Sequence, residues 1–208
     1  MGSAIRINVE QQNLFTLPSE AFLLFEGRLL KADGTPYENA DAVSLTNNGI
    51  IHLFIQISYQ LSNQEVKAVY HPGQATTTLG MFKYSNDFQL VQGLNKLWYK
   101  DSVTTAVLDD NSGFTVRQAY IIQKPTTIGT FSFCIPSKHI FGFCDDYDKA
   151  IYGFKDTLTL VRKSDDGAIF RLAAADAGKI DLNKISLFIP HVIPSDLERI
   201  NLYYKTYL

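Results

Sequence analysis

The residue types best suited to bind a metal or to do acid/base chemistry cluster between positions 134 and 148. The cluster consists of Cys134, His139, Cys144, Asp145, Asp146 and Asp148. Three nearby carboxylates could bind Ca²⁺, but the stretch lacks the glycine and the distal glutamate of an EF-hand loop. A zinc site would need a further ligand and Cys-x-x-Cys-like spacing. We therefore interpret the acidic residues as solvated surface and the two cysteines as structural thiols, and we expect no metal site.

The four histidines, His52, His71, His139 and His191, are scattered along the chain. None lies in a serine or cysteine nucleophile motif, and the sequence contains no HExxH, P-loop or GxGxxG pattern. A cupin-type enzyme would need histidines clustered on inward strand positions, which this spacing does not offer. We therefore predict no catalytic residue, no bound cofactor and no enzymatic activity.

Composition favours a large apolar core and self-association. The 208 residues are 46% hydrophobic and only 19% charged, with a formal net charge of −2. Many all-β sandwiches use this length for one domain, so we expect a single domain over 1–208. Mixed charges without a basic stripe argue against strong, direct nucleic-acid binding. Weak like-charge repulsion would permit dense packing of copies.

The compartment is indicated by the cysteines and by the N-terminal stretch. Two cysteines do not form a disulfide framework, and they fit a reducing compartment. The sequence has no Asn-x-Ser/Thr sequon, and MGSAIRINVE has no apolar signal-peptide core. No apolar run approaches the length of a membrane span. We expect an intracellular protein that is not secreted and does not contact a membrane.

The most regular pattern in the chain follows the turn Asn47-Asn48-Gly49. From Ile51 to Leu61 every odd position is apolar, and the even positions are mostly polar. A period of two with β-branched and aromatic residues predicts a long, half-buried strand. On this pattern Ile55 faces the core and Gln56 faces solvent.

Further strands, separated by turn residues, are predicted along the chain. The segments are 5–9, 21–34, 114–123, 130–135, 157–163, 168–172, 184–192 and 197–208. A short helix is predicted around Ala75 to Phe82, a loop with a helical turn over Asn86 to Val107, and a short helical crossover after Ser137. Eight or nine strands with one or two short helices predict an all-β, antiparallel, two-sheet jelly-roll sandwich.

Aromatic residues outside the predicted strands are candidates for an interface. They are Trp98 and Tyr99 in the long loop, and Tyr203, Tyr204 and Tyr207 near the end of the sequence. Long loops often form interfaces, and exposed aromatics are enriched in them. The segment 197–208 is therefore predicted to be an interface arm, with closure of a sheet as the alternative. A lectin-like platform that binds carbohydrate or peptide through Trp98 and Tyr99 is the alternative function.

A series of short sequence segments, called anchors here, resembles in its order the first jelly roll of double jelly-roll major capsid proteins. The suggested relatives are the capsid proteins of Polinton/Maverick elements and adinto-like viruses. The anchors are Asn48 to Leu61, Tyr70-His71-Pro72-Gly73 with Ala75 to Tyr84, Leu97 to Asp101, Gly113-Phe114 with Arg117, Ile135-Pro136, His139 to Phe141 and Leu158 to Arg162. The resemblance extends from about Ile50 to Phe170.

The resemblance implies a viral or virus-derived, domesticated shell protein. In that family two rolls stand side by side in each subunit and three subunits form a pseudo-hexagonal capsomer, whereas this sequence has residues for one roll. It therefore implies either a fragment or remnant, or a one-roll protein that forms rings from more copies. The expected partners are copies of itself, in a trimer or a hexamer-like ring, and other capsid subunits. The expected location is the virion or the inside of the cell.

Overall fold

The computed structural model describes residues 3–10, 15–106, 110–123, 126–198 and 200. Within these ranges the strands are β1 (Ala4–Val9), β2 (Phe15–Thr16), β3 (Phe22–Lys31), β4 (Val43–Leu45), β5 (Phe54–Leu61), β6 (Gln64–Tyr70), β7 (Thr130–Pro136), β8 (Ile151–Tyr152), β9 (Asp156–Arg162), β10 (Ile169–Arg171), β11 (Gly178–Phe188) and β12 (His191–Val192). The α-helices are α1 (Pro72–Lys83), α2 (Asn86–Val91), α3 (Gly93–Lys96), α4 (Ser112–Ile121) and α5 (Gly142–Asp146).

All strand pairs in the described ranges are antiparallel. The larger sheets have the orders β1-β9-β5-β6 and β11-β3-β7, and the smaller ones are β10-β4 and β12-β2-β8. The predicted all-β jelly-roll class is confirmed. The helices outnumber the one or two that the sequence predicted, because the connections between strands fold into short helical segments.

The core lies between the two larger sheets. Strand β3 alternates as predicted, with Leu23, Phe25 and Leu29 fully buried. Across the interior, Phe25 contacts Phe54 of β5 with ring centroids 5.9 Å apart. Each such side chain contributes about 1.5–3 kcal/mol on burial. The alternating apolar residues therefore hold the two sheets together.

The long strand predicted from Ile51 is shorter, and part of its predicted inward face was wrong. Gly49–Leu53 forms a 3-10 helix, and the strand begins at Phe54. Phe54 pairs with Arg162 and Gln56 pairs with Val161, so Ile55 is an extra residue in a β-bulge. A bulge reverses which face the following residues occupy. Phe54 is consequently buried and Ile55 is 41% exposed.

A second bulge divides strand β11, which begins earlier than the predicted 184–192. Leu182 pairs with Gly27 and Lys184 pairs with Glu26, which leaves Asn183 unpaired. Apolar residues occupy even positions before the bulge and odd positions after it. In the sequence, this one strand therefore has the apolar alternation of two shorter strands.

The segment 114–123 was predicted to be a strand, and this was wrong, since it forms helix α4. The side chain of Asn111 caps the helix by accepting a hydrogen bond from the Phe114 amide at 3.1 Å. Phe114, Arg117, Gln118 and Ile121 are buried at helical spacing. The assignment of Val116, Tyr120 and Ile122 to one face of a strand was therefore wrong, and Val116 is exposed.

Arg117 holds α4 against two other segments. Its side chain is fully buried, and Nε donates to the Leu45 carbonyl at 3.0 Å. The guanidinium also donates to the Tyr99 carbonyl and to Asp101, with 2.6 Å to the carboxylate. Strand β4 and the segment after α3 are thereby fixed to the same helix.

Candidate interaction surface

Helix α1 turns its small residues toward the protein and its large apolar residues outward. Its buried positions are Pro72, Gly73, Thr76 and Gly80. Leu79 is 56% exposed and Phe82 is 88% exposed, and Met81 is also exposed. Amphipathic surface helices usually have the opposite arrangement. The outward face of α1 is therefore the first candidate for contact with another molecule.

Close packing fixes this orientation of α1. A Cβ atom added at Gly80 would lie 2.4 Å from Cη2 of Trp98, and one added at Gly73 would lie 2.5 Å from Cγ of His52. Only residues without a side chain allow the helix backbone to lie so near these rings. Leucine or phenylalanine cannot occupy those positions, so the large residues face outward.

The turn predicted at Asn47-Asn48-Gly49 sets the start of α1. Asn48 has a left-handed backbone with φ 60°, which asparagine tolerates well. Its side-chain amide donates to Oγ1 of Thr76 at 2.8 Å and to Oγ1 of Thr77 at 3.2 Å. The Thr76 hydroxyl in turn donates to the Pro72 carbonyl at 2.7 Å. These bonds fix the rotation of the helix about its axis.

An aromatic layer supports α1 from beneath. It consists of Tyr84, Phe88, Trp98 and His139 around the buried amine of Lys96. Tyr84 stacks on Phe88 with ring centroids 3.9 Å apart and contacts the edge of Trp98 at 5.1 Å. The Lys96 amine lies 5.0 Å and 5.3 Å from the ring centroids of Tyr84 and Trp98. The layer links α1 to the helices that follow it.

Burial changes the acid/base behaviour of this layer. It lowers the pKa of Lys96 to about 7, and it raises the pKa of Tyr84 to about 12. Burial, together with the positive charges of Lys96, Lys138 and Lys83, lowers the pKa of His139 to about 4. Near neutral pH, His139 is therefore an uncharged ring.

An open groove of about 560 Å³ runs along the outer face of α1. Its lining comprises Tyr70, His71, Gln74, Ala75, Thr78, Leu79 and Phe82. The helical positions recur at intervals of three and four residues, so they form one stripe. Tyr70 closes the groove from the end of β6, an edge strand of its sheet. The groove can accept an apolar or aromatic segment of another chain.

The residues predicted to form an interface differ in their exposure in the structure. Trp98 is only 1% exposed because it packs beneath Gly80, so its side chain cannot form a surface or a carbohydrate platform. Tyr99 is half-buried, and its amide donates to Oδ1 of Asn47 at 2.8 Å. Tyr203, Tyr204 and Tyr207 lie outside the described residues.

The outer face of α1 is the part of the surface that the sequence patterns did not reveal. The helix itself was predicted, but not which of its faces is buried. Gly73, Thr76 and Gly80 at helical spacing are the signal that could have identified the inward face. Without knowledge of what lies beneath the helix, its apolar residues would be assigned to the core.

The possible metal-binding residues do not assemble into a site. Among the described residues, no group of three or more His, Cys, Asp or Glu side chains could hold a metal ion. Cys144 is buried, Cys134 is half-buried, and both are free thiols. Asp145 pairs with Lys83, at the end of α1. In the same described ranges, no helix is long and apolar enough to cross a membrane.

The family is decided by a comparison with protein-family models. The model described as the double jelly roll-like domain matches residues 43–206, which is most of the chain. This chain belongs to that family. The match of this double jelly roll-like domain includes β4 and the whole of α1, and it confirms the resemblance seen in the sequence. A comparison with curated proteins found no match.

Similar solved structures come from virus capsids. One is the mavirus major capsid protein, with a TM-score of 0.47, 12% identity and coverage of 95% of this chain and 45% of that chain. Another is PBCV-1 VP54 fitted into a reconstruction of the virophage Sputnik, with a TM-score of 0.42, 10% identity and coverage of 97% and 40%. A quasi-atomic model of the PBCV-1 capsid gives a TM-score of 0.42, 11% identity and the same coverage. This double jelly roll-like domain spans less than half the length of each of those chains.

Proposed function

We propose that this chain is a structural, non-enzymatic, capsid-like subunit that associates with copies of itself. In this proposal the chain acts through burial of apolar surface between subunits, without a cofactor and without strong direct binding to nucleic acid. Its source is a virus or a virus-derived element of the Polinton/Maverick and adinto-like kind, where it is a component of the virion or remains inside the cell.

The outward face of α1 carries this proposal. Large apolar side chains grouped on one exposed face mark interaction surfaces. Methionine and aromatic residues are enriched where subunits meet, and Met81 and Phe82 both lie on this helix. The aromatic layer beneath holds the helix in place, so the groove exists before a partner arrives. Such preformation lowers the entropic cost of association.

The arrangement of copies depends on how many rolls each copy carries. We propose that residues 1–208 form a single roll, with 197–208 as an arm that contacts a neighbour. Subunits of the family carry two rolls. A chain with a single roll would therefore complete a trimer-like or hexamer-like ring in one of two ways, either with further copies of itself or together with a second roll. Other capsid subunits are the remaining candidate partners.

Light scattering after size-exclusion chromatography, with electron microscopy of the concentrated protein, tests the proposed function. We expect masses above that of a 23.4 kDa monomer, rising with concentration, and ring-like particles. A strictly monomeric protein at high concentration would contradict the proposal.

A peptide-binding module is the second candidate function. The observation that favours it is the open groove on α1, which has the size of a small binding site. The carbohydrate version of this candidate loses its main support because Trp98 is buried. A monomeric protein that gains thermal stability with apolar peptides would favour this candidate over a shell subunit.

A further inference from the structure

The shape and lining of the groove on α1 define the size and chemistry of the segment that could bind there. It is open along its length and lined by one helical stripe and by Tyr70. An occupant must offer apolar or aromatic side chains in a short segment, because the groove extends over about three helical turns at 5.4 Å each. A phenylalanine exposed as fully as Phe82 gains most from an aromatic or aliphatic neighbour.

The C-terminal segment of the chain has this chemistry. Residues 201–208 read NLYYKTYL, with the apolar or aromatic residues Leu202, Tyr203, Tyr204, Tyr207 and Leu208. The family match extends to residue 206, so most of this segment belongs to the domain rather than to an unrelated extension. Tyrosine suits a half-wet groove, since its ring packs while its hydroxyl keeps contact with water.

The last described strand lies near the end of β5 that is opposite to the groove of its own chain. Strand β12 pairs with β2 through His191 and Thr16, and both residues lie near Asp156, which accepts a hydrogen bond from the Tyr59 hydroxyl. Asp156 pairs with Leu61 at one end of β5, whereas Tyr70 pairs with Gln56 near the other end. Five residue-to-residue steps along β5 lead from Gln56 to Leu61, which corresponds to about 17 Å. Strand β12 therefore lies near the opposite end of β5 from the groove, and residues 193–200 lie between it and the proposed arm.

We propose that residues 201–208 of one copy dock in the α1 groove, defined by Tyr70, Gln74, Ala75, Leu79 and Phe82, of a neighbouring copy. This inference rests on the proposed self-association and specifies the contact that produces it. Each copy then provides one arm and one groove, so the contact is of the head-to-tail type, which forms a closed ring when the rotation between copies closes and an open filament when it does not. The same contact buries the apolar face of α1 that is exposed in a single copy.

Disulfide trapping between two full-length variants tests the docking. One variant carries Phe82→Cys and the other carries Tyr204→Cys, and the two are given different tags, mixed and treated with a mild oxidant. We expect a mixed, cross-linked dimer at a level at least about tenfold above the control, because docking raises the local thiol concentration. The control replaces Phe82→Cys by Leu90→Cys, since Leu90 is similarly exposed at 79% but lies outside the groove. The unmodified chain gives the background from Cys134 and Cys144.

The outcomes separate this inference from the proposed function. A mixed dimer no more abundant than in the Leu90→Cys control overturns the docking. If light scattering on the same samples still shows oligomers, the shell function stands and uses another contact. If the chain is also monomeric, both proposals fail. A double variant carries Phe82→Cys and Tyr204→Cys in the same chain. If its two introduced cysteines form a disulfide only within one chain, docking between copies is overturned and the segment is assigned to its own groove.

Discussion

Lys96 places an amine in the aromatic layer beneath α1. Its side chain is fully buried, and its hydrogen-bond partner is the Tyr84 hydroxyl at 3.3 Å. The faces of Tyr84 and Trp98 partly compensate the charge. Burial still favours the neutral amine, which is why the pKa of Lys96 falls from 10.5 to about 7. The residue therefore costs stability whenever it is protonated.

Replacing Lys96 by methionine should stabilise the fold most at low pH. In the unfolded chain the amine keeps its ordinary pKa of 10.5, so between pH 7 and 10.5 folding releases a proton and stability rises with pH. Below pH 7 the amine is charged in both states, and the full penalty remains. Lys96→Met should gain about 1–4 kcal/mol at pH 6. Its advantage over the natural protein should shrink toward pH 9.5.

Urea unfolding at both pH values measures this effect. Lys67→Met, at an exposed position of β6, is the matched control and should show no such pH-dependent gain. An equal advantage of Lys96→Met at both pH values would show that packing, rather than charge, accounts for the change.

The bulge at Ile55 gives a second prediction for single residues. Ile57 is fully buried, so Ile57→Asp should destabilise the fold by more than about 4 kcal/mol and prevent folding at ordinary temperature. Ile55→Asp should cost about 1 kcal/mol, because its carboxylate can reach water. Circular dichroism melting compares the two variants. An unfolded Ile55→Asp protein beside a folded Ile57→Asp protein would mean that the bulge is misplaced.

Among the secondary-structure elements, α1 depends on close packing more than on helix propensity. In an exposed helix, Gly→Ala gains about 1 kcal/mol. Gly80→Ala should instead destabilise the protein by about 1–3 kcal/mol, since the new methyl group would lie 2.4 Å from Trp98. Thr78→Ala, on the outer face, is the control and should be neutral or slightly stabilising. Thermal melting monitored by tryptophan fluorescence reports on both variants, and a stabilised Gly80→Ala protein would contradict the close approach.

At the scale of the whole molecule, association should depend on the outer face of α1. Glutamate at both Leu79 and Phe82 should weaken self-association at least about tenfold, because charges would have to be buried in the contact. Folding stability should change by less than about 1 kcal/mol, since both side chains are exposed. Sedimentation velocity over a dilution series measures the change. The pair Leu90→Glu and Val91→Glu is the matched control, and an equal loss there would mean that the contact is not specific to the groove.

The sequence by itself determined the fold class, the family and most strands. Period-two alternation in Leu23 to Leu29 and in Phe131 to Ile135 was sufficient, because a half-buried strand imposes that period on its side chains. The position of the short helix around Ala75 and the turn at Asn48 were also readable, since their residue types have strong local preferences.

Only the tertiary structure decided which faces are buried at the two bulges, in α4 and in α1. The bulges at Ile55 and Asn183 reverse the alternation within a strand, and the sequence carries no local mark of the residue that is left unpaired. The segment after Asn111 alternates like a strand, yet it forms a helix. The Asn111 side chain caps that helix by accepting from the Phe114 amide, and the buried hydrogen bonds of Arg117 hold it in place. In α1 the buried face is set by Trp98, because its ring leaves room only for glycine at position 80. Leu79 and Phe82 therefore face outward. These contacts join residues far apart in the chain, so no local pattern contains them.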